Sequence, residues 1–520
     1  MSQDSARIVE VSRLRQRRRI DHFASARVQR WYGVDVLTAS LAIFGLGEHL
    51  RGRAGYATCP LLGLVLPVLL CLVSRDYRAR VGGWLITLWE RLRAFEAGTG
   101  PIPWLAALVF ASLPAWLLYL SNQRTRGADD TRPVIPTAVS LLTEGDANLR
   151  EFFQPGARRD LHEPSGEIRR CFLPVGDGYY SAYPGGMVPF ALLTTGAGAI
   201  LDANLASEAV QIRFEKITAA LVGAGCVGLF FLVALTLAPP RPALVSTALV
   251  ALGSGLFSTV SMALWQHGGI VLGSLLVLLV EFTRERRDVR HGTLIQGIAC
   301  ALMVSCRLTS VSFLVPFAAW VALRQPKRAG AIIAVAATAF LPWAAFYLWV
   351  YGSPFGPSTS FLTSSLWRSD LTEPLLGVLV SPGRGLLFYQ PWLILAPLAL
   401  LAKFRGDEPT DPPGWAGFLG TATLAHLLLI AAWGCWWGGW CWGSRLMVDV
   451  VPLAGLLCVR PIARLLETRL GVLAIATLAV ASILIQVPGV YGDPSTWNAS
   501  ARMPEDLWSW TRAPFLALLR

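Results

Sequence analysis

Apolar runs of membrane-crossing length alternate with short polar joints along most of this chain. A helix needs about twenty apolar residues to cross a bilayer. Runs near that length fall at 55–73, 101–120, 214–238, 242–262, 268–283, 292–306, 309–324, 329–350, 386–402, 414–433, 447–460 and 470–488. A weaker run at 34–50 carries Glu48 and His49, and either spans marginally or lies in the interface. The pattern predicts an all-α polytopic membrane protein with about thirteen spans, since the two-residue alternation of a membrane barrel is absent.

One polar stretch is far longer than the others, at 121–213, and two adjacent acids, Asp129 and Asp130, stand near its head. Its part 134–153 has helix-like apolar spacing and is expected to pack on the membrane surface. The apolar stretch 187–201 is broken by small residues and is read as a re-entrant or surface helix. A Trp- and Arg-bearing amphipathic stretch, 74–98, is expected to lie along the surface.

Charge orients the whole. With the basic start inside and 187–201 not spanning, the inner loops are 74–100, 239–241, 284–291, 325–328, 403–413 and 461–469. They hold Arg284-Glu-Arg-Arg-Asp-Val-Arg290 and Arg324-Gln-Pro-Lys-Arg328, as the positive-inside rule requires. Loops 121–213, 351–385 and 435–446 and the C-terminal tail then face outward. The expectation is a multi-pass protein of the inner (plasma) membrane, with a cytoplasmic N-terminus and its active site on the outer face. Residues 1–100 read as a basic tail with one or two accessory spans and the amphipathic helix; 101–520 read as the main transmembrane domain.

Composition agrees. Of 520 residues, 54% are hydrophobic and 15% charged, with a mean hydropathy of +0.51, against about a quarter charged in soluble domains. The net charge of +12 is explained by inner-loop arginines rather than by nucleic acid, which is not expected as a partner. The nine cysteines show no metal-ligand spacing, and a disulfide between Cys435 and Cys441 is left open. No apolar core follows the basic start at signal-peptide distance, and no internal repeat of the transporter kind is evident.

Polar residues at predicted outer helix ends are the candidates for chemistry. Asp129 and Asp130 are either hydrated loop acids or a general base at the membrane–water boundary. Arg307, in Ser305-Cys-Arg-Leu-Thr-Ser310, is either structural or a clamp for a lipid phosphate. His267, in Trp265-Gln-His-Gly-Gly269, is either structural or a hydrogen-bonding contact to phosphate or sugar. Arg384 lies in the turn Ser381-Pro-Gly-Arg-Gly-Leu-Leu387. Arg445 and Asp449 are four apart and could pair with each other. Tyr183, in Tyr179-Tyr-Ser-Ala-Tyr-Pro-Gly-Gly186, and Trp437, within the run Trp433, Trp436, Trp437, Trp440 and Trp442, belong either to an interfacial belt or to a stacking surface for sugar or prenyl chain. Asn498-Ala-Ser500 has the form of a glycosylation sequon.

In their order these segments resemble the GT-C superfamily of polytopic glycosyltransferases. The likeness is to the bacterial branch similar to protein O-mannosyltransferases (glycosyltransferase family 39-like) and to lipid A aminoarabinose transferases. It runs from about residue 101 onward: a span, an outer loop opening on Asp130-Thr131 and Pro133, Tyr-Pro-Gly, Trp-Gln-His, Arg307-Leu-Thr, Ser-Pro-Gly-Arg-Gly-Leu-Leu and Trp-Gly-Ser-Arg. Two positions depart from the family: Leu308 stands where a proline is usual, and Asp-Asp where Asp-Glu is common.

The resemblance implies a GT-C fold and a hexosyl- or pentosyltransferase using a polyprenyl-phosphate sugar donor. The acceptor hydroxyl would belong to a glycan, lipid or protein. It implies Asp130 as base in preference to Asp129, and Arg307 at the donor phosphate; from the residues themselves the expectation is inverting transfer, with Arg384, Arg445, His267, Tyr183 and Trp437 around the substrates. No cofactor is certain. Some relatives bind a divalent cation, to which Asp129, Asp130 and Glu144 could contribute, but no ligand spacing compels one. Two rival readings are a lipid or glycan flippase and an inactive GT-C-like scaffold.

Overall fold

The computed structural model describes residues 75–96, 103–154, 161–163, 165–284, 289–404 and 414–517. The spans expected at 34–50 and 55–73, and the loop arginines at 285–288, lie outside the described residues. The chain divides into two units, Met1–Thr87 and Leu88–Arg520. The described part of the first unit is helical and begins α1, Arg75–Glu96, where Trp84, Leu85 and Ile86 are exposed.

Helices of seven or more residues follow in the second unit. They are α2 (Trp104–Leu120), α3 (Val134–Thr143), α4 (Val188–Ile200), α5 (Glu208–Leu237), α6 (Pro240–Leu252), α7 (Gln266–Arg284), α8 (Gly292–Cys306) and α9 (Val311–Ala322). Beyond these come α10 (Pro326–Tyr351), α11 (Thr372–Val380), α12 (Ala396–Phe404), α13 (Trp415–Ala431), α14 (Val451–Leu465), α15 (Arg469–Tyr491) and α16 (Pro494–Ser500). Among the described residues five helices are long and apolar enough to cross a membrane, and eight further apolar helices are shorter.

The five differ in where their apolar surface goes. In α5 and the Arg445–Leu465 helix, 89% of the apolar window is buried inside the protein, against 11% in α10 and 22% in α15. Lipid is as apolar as leucine, so α10 and α15 satisfy their outer faces in the bilayer while α5 and α14 form the centre. Helix α5, at about 45 Å, exceeds the hydrocarbon thickness of about 30 Å. Helix α4, at about 20 Å, falls short of it.

Two expected spans are broken. The run 242–262 is helical only to Leu252; Gly253-Ser-Gly255 follows, then a π-turn at Leu256–Val260. Non-helical backbone at this depth must find partners inside the protein. Lys216 Nζ donates to Ser261 O at 2.9 Å, and Glu215 Oε1 accepts from Leu264 N at 3.3 Å. The run 386–402 breaks at Gln390-Pro391, because a residue before proline is driven from the helical region. A second correction concerns the all-α expectation. The long loop holds a hairpin, β1 (Phe172–Val175) and β2 (Gly178–Ser181), paired antiparallel from Phe172↔Ser181 to Val175↔Gly178.

The loops expected outside meet at one end. Tyr351 Oη donates to Ser181 O at 2.7 Å, Trp367 bridges to Trp433, and Arg384 reaches Trp437, Gly439 and Asn498. At the opposite end Arg328 on α10 binds Glu281 of α7 and Gln296 of α8.

Candidate active site

The first loop is anchored before it reaches its acids. Arg126 N donates to Met262 O at 2.9 Å, and Trp265 Nε1 donates to Arg126 O at 3.2 Å. A turn follows, closed by Thr131 N to Ala128 O, and Gln266 Nε2 holds the Asp130 carbonyl at 2.8 Å. The turn separates the two acids. Asp129 is 41% exposed and faces Arg132 and Arg169, at 3.6 and 3.9 Å. Asp130 is buried, and its Oδ2 accepts from Arg445 Nη1 at 2.7 Å.

Arg445 opens a 3-10 turn, Arg445–Val450, that leads into α14. Its Nη2 donates to Gly438 O at 2.5 Å, and its guanidinium lies over the Trp265 ring, 4.2 Å from the centroid. A buried charge persists only when paired and hydrogen-bonded, and all three contacts serve that need.

Arg307 lies in extended backbone between α8 and a 3-10 turn, Leu308–Ser310, that runs into α9. The loop docks on this break: Gly186 N donates to Ser305 O at 3.0 Å and Gly185 N to Tyr347 Oη at 2.8 Å. Any Cβ at Gly186 would lie 2.5 Å from Cys306 N, so only glycine allows the loop this close. The backbone of Tyr183-Pro-Gly-Gly186 is thereby pinned beside Arg307.

One cavity of about 350 Å³ is lined by Asp130, Tyr183, Gln266, Arg307, Thr309 and Arg445 on its polar side. Its apolar side includes Val311, Leu362, Trp367, Leu429, Ile430 and Trp433, of which Val311, Leu362 and Trp367 are exposed. Burial, and then the Asp130 and Asp129 carboxylates, push the Tyr183 hydroxyl well above its usual range. It therefore stays neutral, able to donate and accept. A second cavity, of about 250 Å³, lies among Arg126, Trp265, Trp440, Trp442, Asp493 and Asn498.

Of the eight residues singled out in the sequence, Asp130, Tyr183, Arg307 and Arg445 share the first cavity. Asp129, His267, Arg384 and Trp437 are not among its lining residues. Arg384 is buried and committed: it donates to Gly383 O, Trp437 O, Gly439 O and Asn498 Oδ1, and lies over the Trp497 ring. Asn498, the sequon residue, is buried in that same network. Trp437 packs edge-on to Trp436 and lends its carbonyl to Arg384. His267 is fully buried, between Asp449 and Arg307. The pairing of Arg445 with Asp449 is therefore corrected, since each binds elsewhere: Arg445 to Asp130 and Asp449 to His267. Cys435 and Cys441 are both free.

Sequence reasoning passed over Gln266 and His426. The second had a signal, an ionisable residue inside an apolar run. Its Nε2 lies 2.8 Å from Leu446 O and 3.8 Å from Asp449 Oδ2. Of the three acids that could contribute to a cation site, Asp129 faces two arginines, Asp130 a third, and Glu144 is exposed. Among the described residues no group of three or more His, Cys, Asp or Glu could hold a metal ion.

No family model matches the chain, and a search of curated proteins gives no match. Among solved structures it is similar to the oligosaccharyltransferase of Archaeoglobus fulgidus in the apo form, at 15% identity and a TM-score of 0.48, over 78% of this chain and 59% of that one. It is also similar to the archaeal oligosaccharyltransferase AglB from Archaeoglobus fulgidus in complex with an inhibitory peptide and a dolichol-phosphate. That likeness has 14% identity and a TM-score of 0.48, over 75% of this chain and 55% of that one. The chain spans less than two thirds of the length of either neighbour.

Proposed function

We propose that this chain is a GT-C-type membrane glycosyltransferase. It transfers a sugar from a polyprenyl-phosphate donor to a hydroxyl acceptor, with inversion, on the non-cytoplasmic face. The observation that carries this reading is one cavity that joins the Asp130 carboxylate to the Arg307 guanidinium and has an apolar rim at Val311, Leu362 and Trp367. A lipid-linked donor needs such an asymmetric site, with cations for the phosphate and an apolar wall for its chain.

In this mechanism the acceptor hydroxyl gives its proton to Asp130, and its oxygen attacks the anomeric carbon. The bond from that carbon to the phosphate oxygen breaks, and polyprenyl phosphate leaves with the electron pair. Arg307 balances the charge on the leaving group. Arg445 orients Asp130, and Tyr183 supplies a neutral hydroxyl to the bound sugar.

A scaffold without activity has one observation in its favour: Asp130 sits in a closed ion pair with Arg445. Turnover separates the two. Purified protein is offered a panel of polyprenyl-phosphate sugars together with delipidated envelope extract as the source of acceptor hydroxyls, and release of polyprenyl phosphate is followed for the wild type and Asp130→Asn. A general base is worth about 10²–10⁴-fold, so a loss of that size in a folded variant is expected. Equal release by both forms would overturn the assignment of the base, and no release from any donor by the wild type would favour the scaffold.

A further inference from the structure

We propose that His267 and Asp449 are positioning residues for Arg307: a buried carboxylate–imidazole pair that fixes the guanidinium at the cavity while leaving its charge available to an anionic ligand. The inference rests on reading Arg307 as the contact to the donor phosphate.

Its basis is hydrogen-bond chemistry. Arg307 Nη1 lies 3.0 Å from His267 Nε2. A guanidinium nitrogen only donates, so Nε2 must be the accepting, unprotonated nitrogen. The ring proton is then on Nδ1, and it points at Asp449 Oδ1, 2.6 Å away. Both residues are buried, His267 completely. The Asp449 carboxylate thus fixes the tautomer, and the tautomer fixes the acceptor that Arg307 needs. The same logic orients metal-bound histidines through an outer carboxylate, here with a guanidinium in the metal's place.

The two arginines of the cavity differ as a result. Arg445 is neutralised directly by Asp130. Arg307 touches a neutral ring, and among the described residues no carboxylate forms an ion pair with it. The carboxylate behind the ring is one imidazole removed, so the guanidinium is held in place without being cancelled.

The fold supplies the register. His267 is in the first turn of α7, and Arg307 is the first residue beyond α8. At Gly269 a Cβ would lie 2.3 Å from Cys306 Sγ, so this glycine lets the two helix ends approach until ring and guanidinium meet.

The test uses the full chain in detergent micelles with farnesyl phosphate as the probe, and reads binding rather than turnover. His267→Ala is expected to weaken binding about tenfold in the wild-type background and to have no further effect in Arg307→Ala, the signature of a residue acting through another. Equal losses in both backgrounds would overturn the proposal. Asp449→Asn keeps an oxygen that accepts from the ring, and is expected to retain more binding than Asp449→Ala; the reverse order counts against the relay. If neither the wild type nor Arg307→Ala binds the probe, the phosphate reading fails by itself. The relay is then judged by nitrogen NMR of the imidazoles, with His267 assigned by its loss in His267→Gln. A proton on Nδ1, with Nε2 shifting in Arg307→Ala, supports the relay, and a proton on Nε2 overturns it.

Discussion

Asp130 and Arg445 stand 315 positions apart in sequence and meet at 2.7 Å, joining the head of the first loop to the turn before α14. Removing Arg445 alone leaves a buried carboxylate without its partner, at a cost of about 3–5 kcal/mol. Arg445→Met is therefore expected to lower the unfolding temperature in detergent. Asp130→Asn combined with Arg445→Met is expected to recover part of that loss. A double variant as unstable as the sum of the singles would show that the pair is not coupled.

The tether at Gly186 holds the loop against the end of α8, with Cys306 N in the way of any side chain. Gly186→Ala is expected to cost about 1–3 kcal/mol and to lower turnover with it, since the backbone beside Arg307 must move. Thermal unfolding and turnover on the same sample check this. A stable variant with full activity would mean that the close approach is not needed.

Arg384 ties the loop from Trp437 to Gly439 to Asn498. Arg384→Ala strands several acceptors, and is expected to cost roughly 3 kcal/mol and to expose the 435–446 loop to limited proteolysis. Arg307→Ala is expected to weaken donor binding and leave the cleavage pattern unchanged. Exchanged phenotypes would exchange the roles.

Val311, Leu362 and Trp367 are read as the wall that meets the prenyl chain. Val311→Asp is expected to raise KM about tenfold for a long-chain donor, the equivalent of losing contact with one or two buried methylenes. It is expected to change KM little for a donor with a single isoprene unit. The measurement is KM against chain length, and an equal effect on all donors would place the chain elsewhere.

Much of this arrangement is readable along the chain because hydropathy and motif order are local. The ends of α8, α10 and α13 fall within a few residues of their apolar runs. The hairpin had only a weak signal, the turn pair Gly176-Asp177, where Gly176 adopts φ +57°. What could not be read is which outer-end polar residues face one space. Asp129 and Asp130 are neighbours, yet a turn sends one to Arg132 and Arg169 and the other to the cavity. Arg384 and Arg307 both stand at helix ends in glycine- or serine-bearing segments; only their long-range partners distinguish a clamp on backbone from a cavity wall. The His267–Arg307 contact depends on the approach of α7 and α8, which spacing within either helix does not encode.

The most direct measurement is mass spectrometry of envelope glycans and lipids from cells lacking this chain, resupplied with the wild type, Asp130→Asn or Arg307→Ala at equal membrane levels. The expected result is one sugar-bearing product lost on deletion, restored by the wild type, and absent or strongly reduced with either variant. Full restoration by Asp130→Asn, or no sugar-bearing product changed by deletion, would contradict transfer at this cavity.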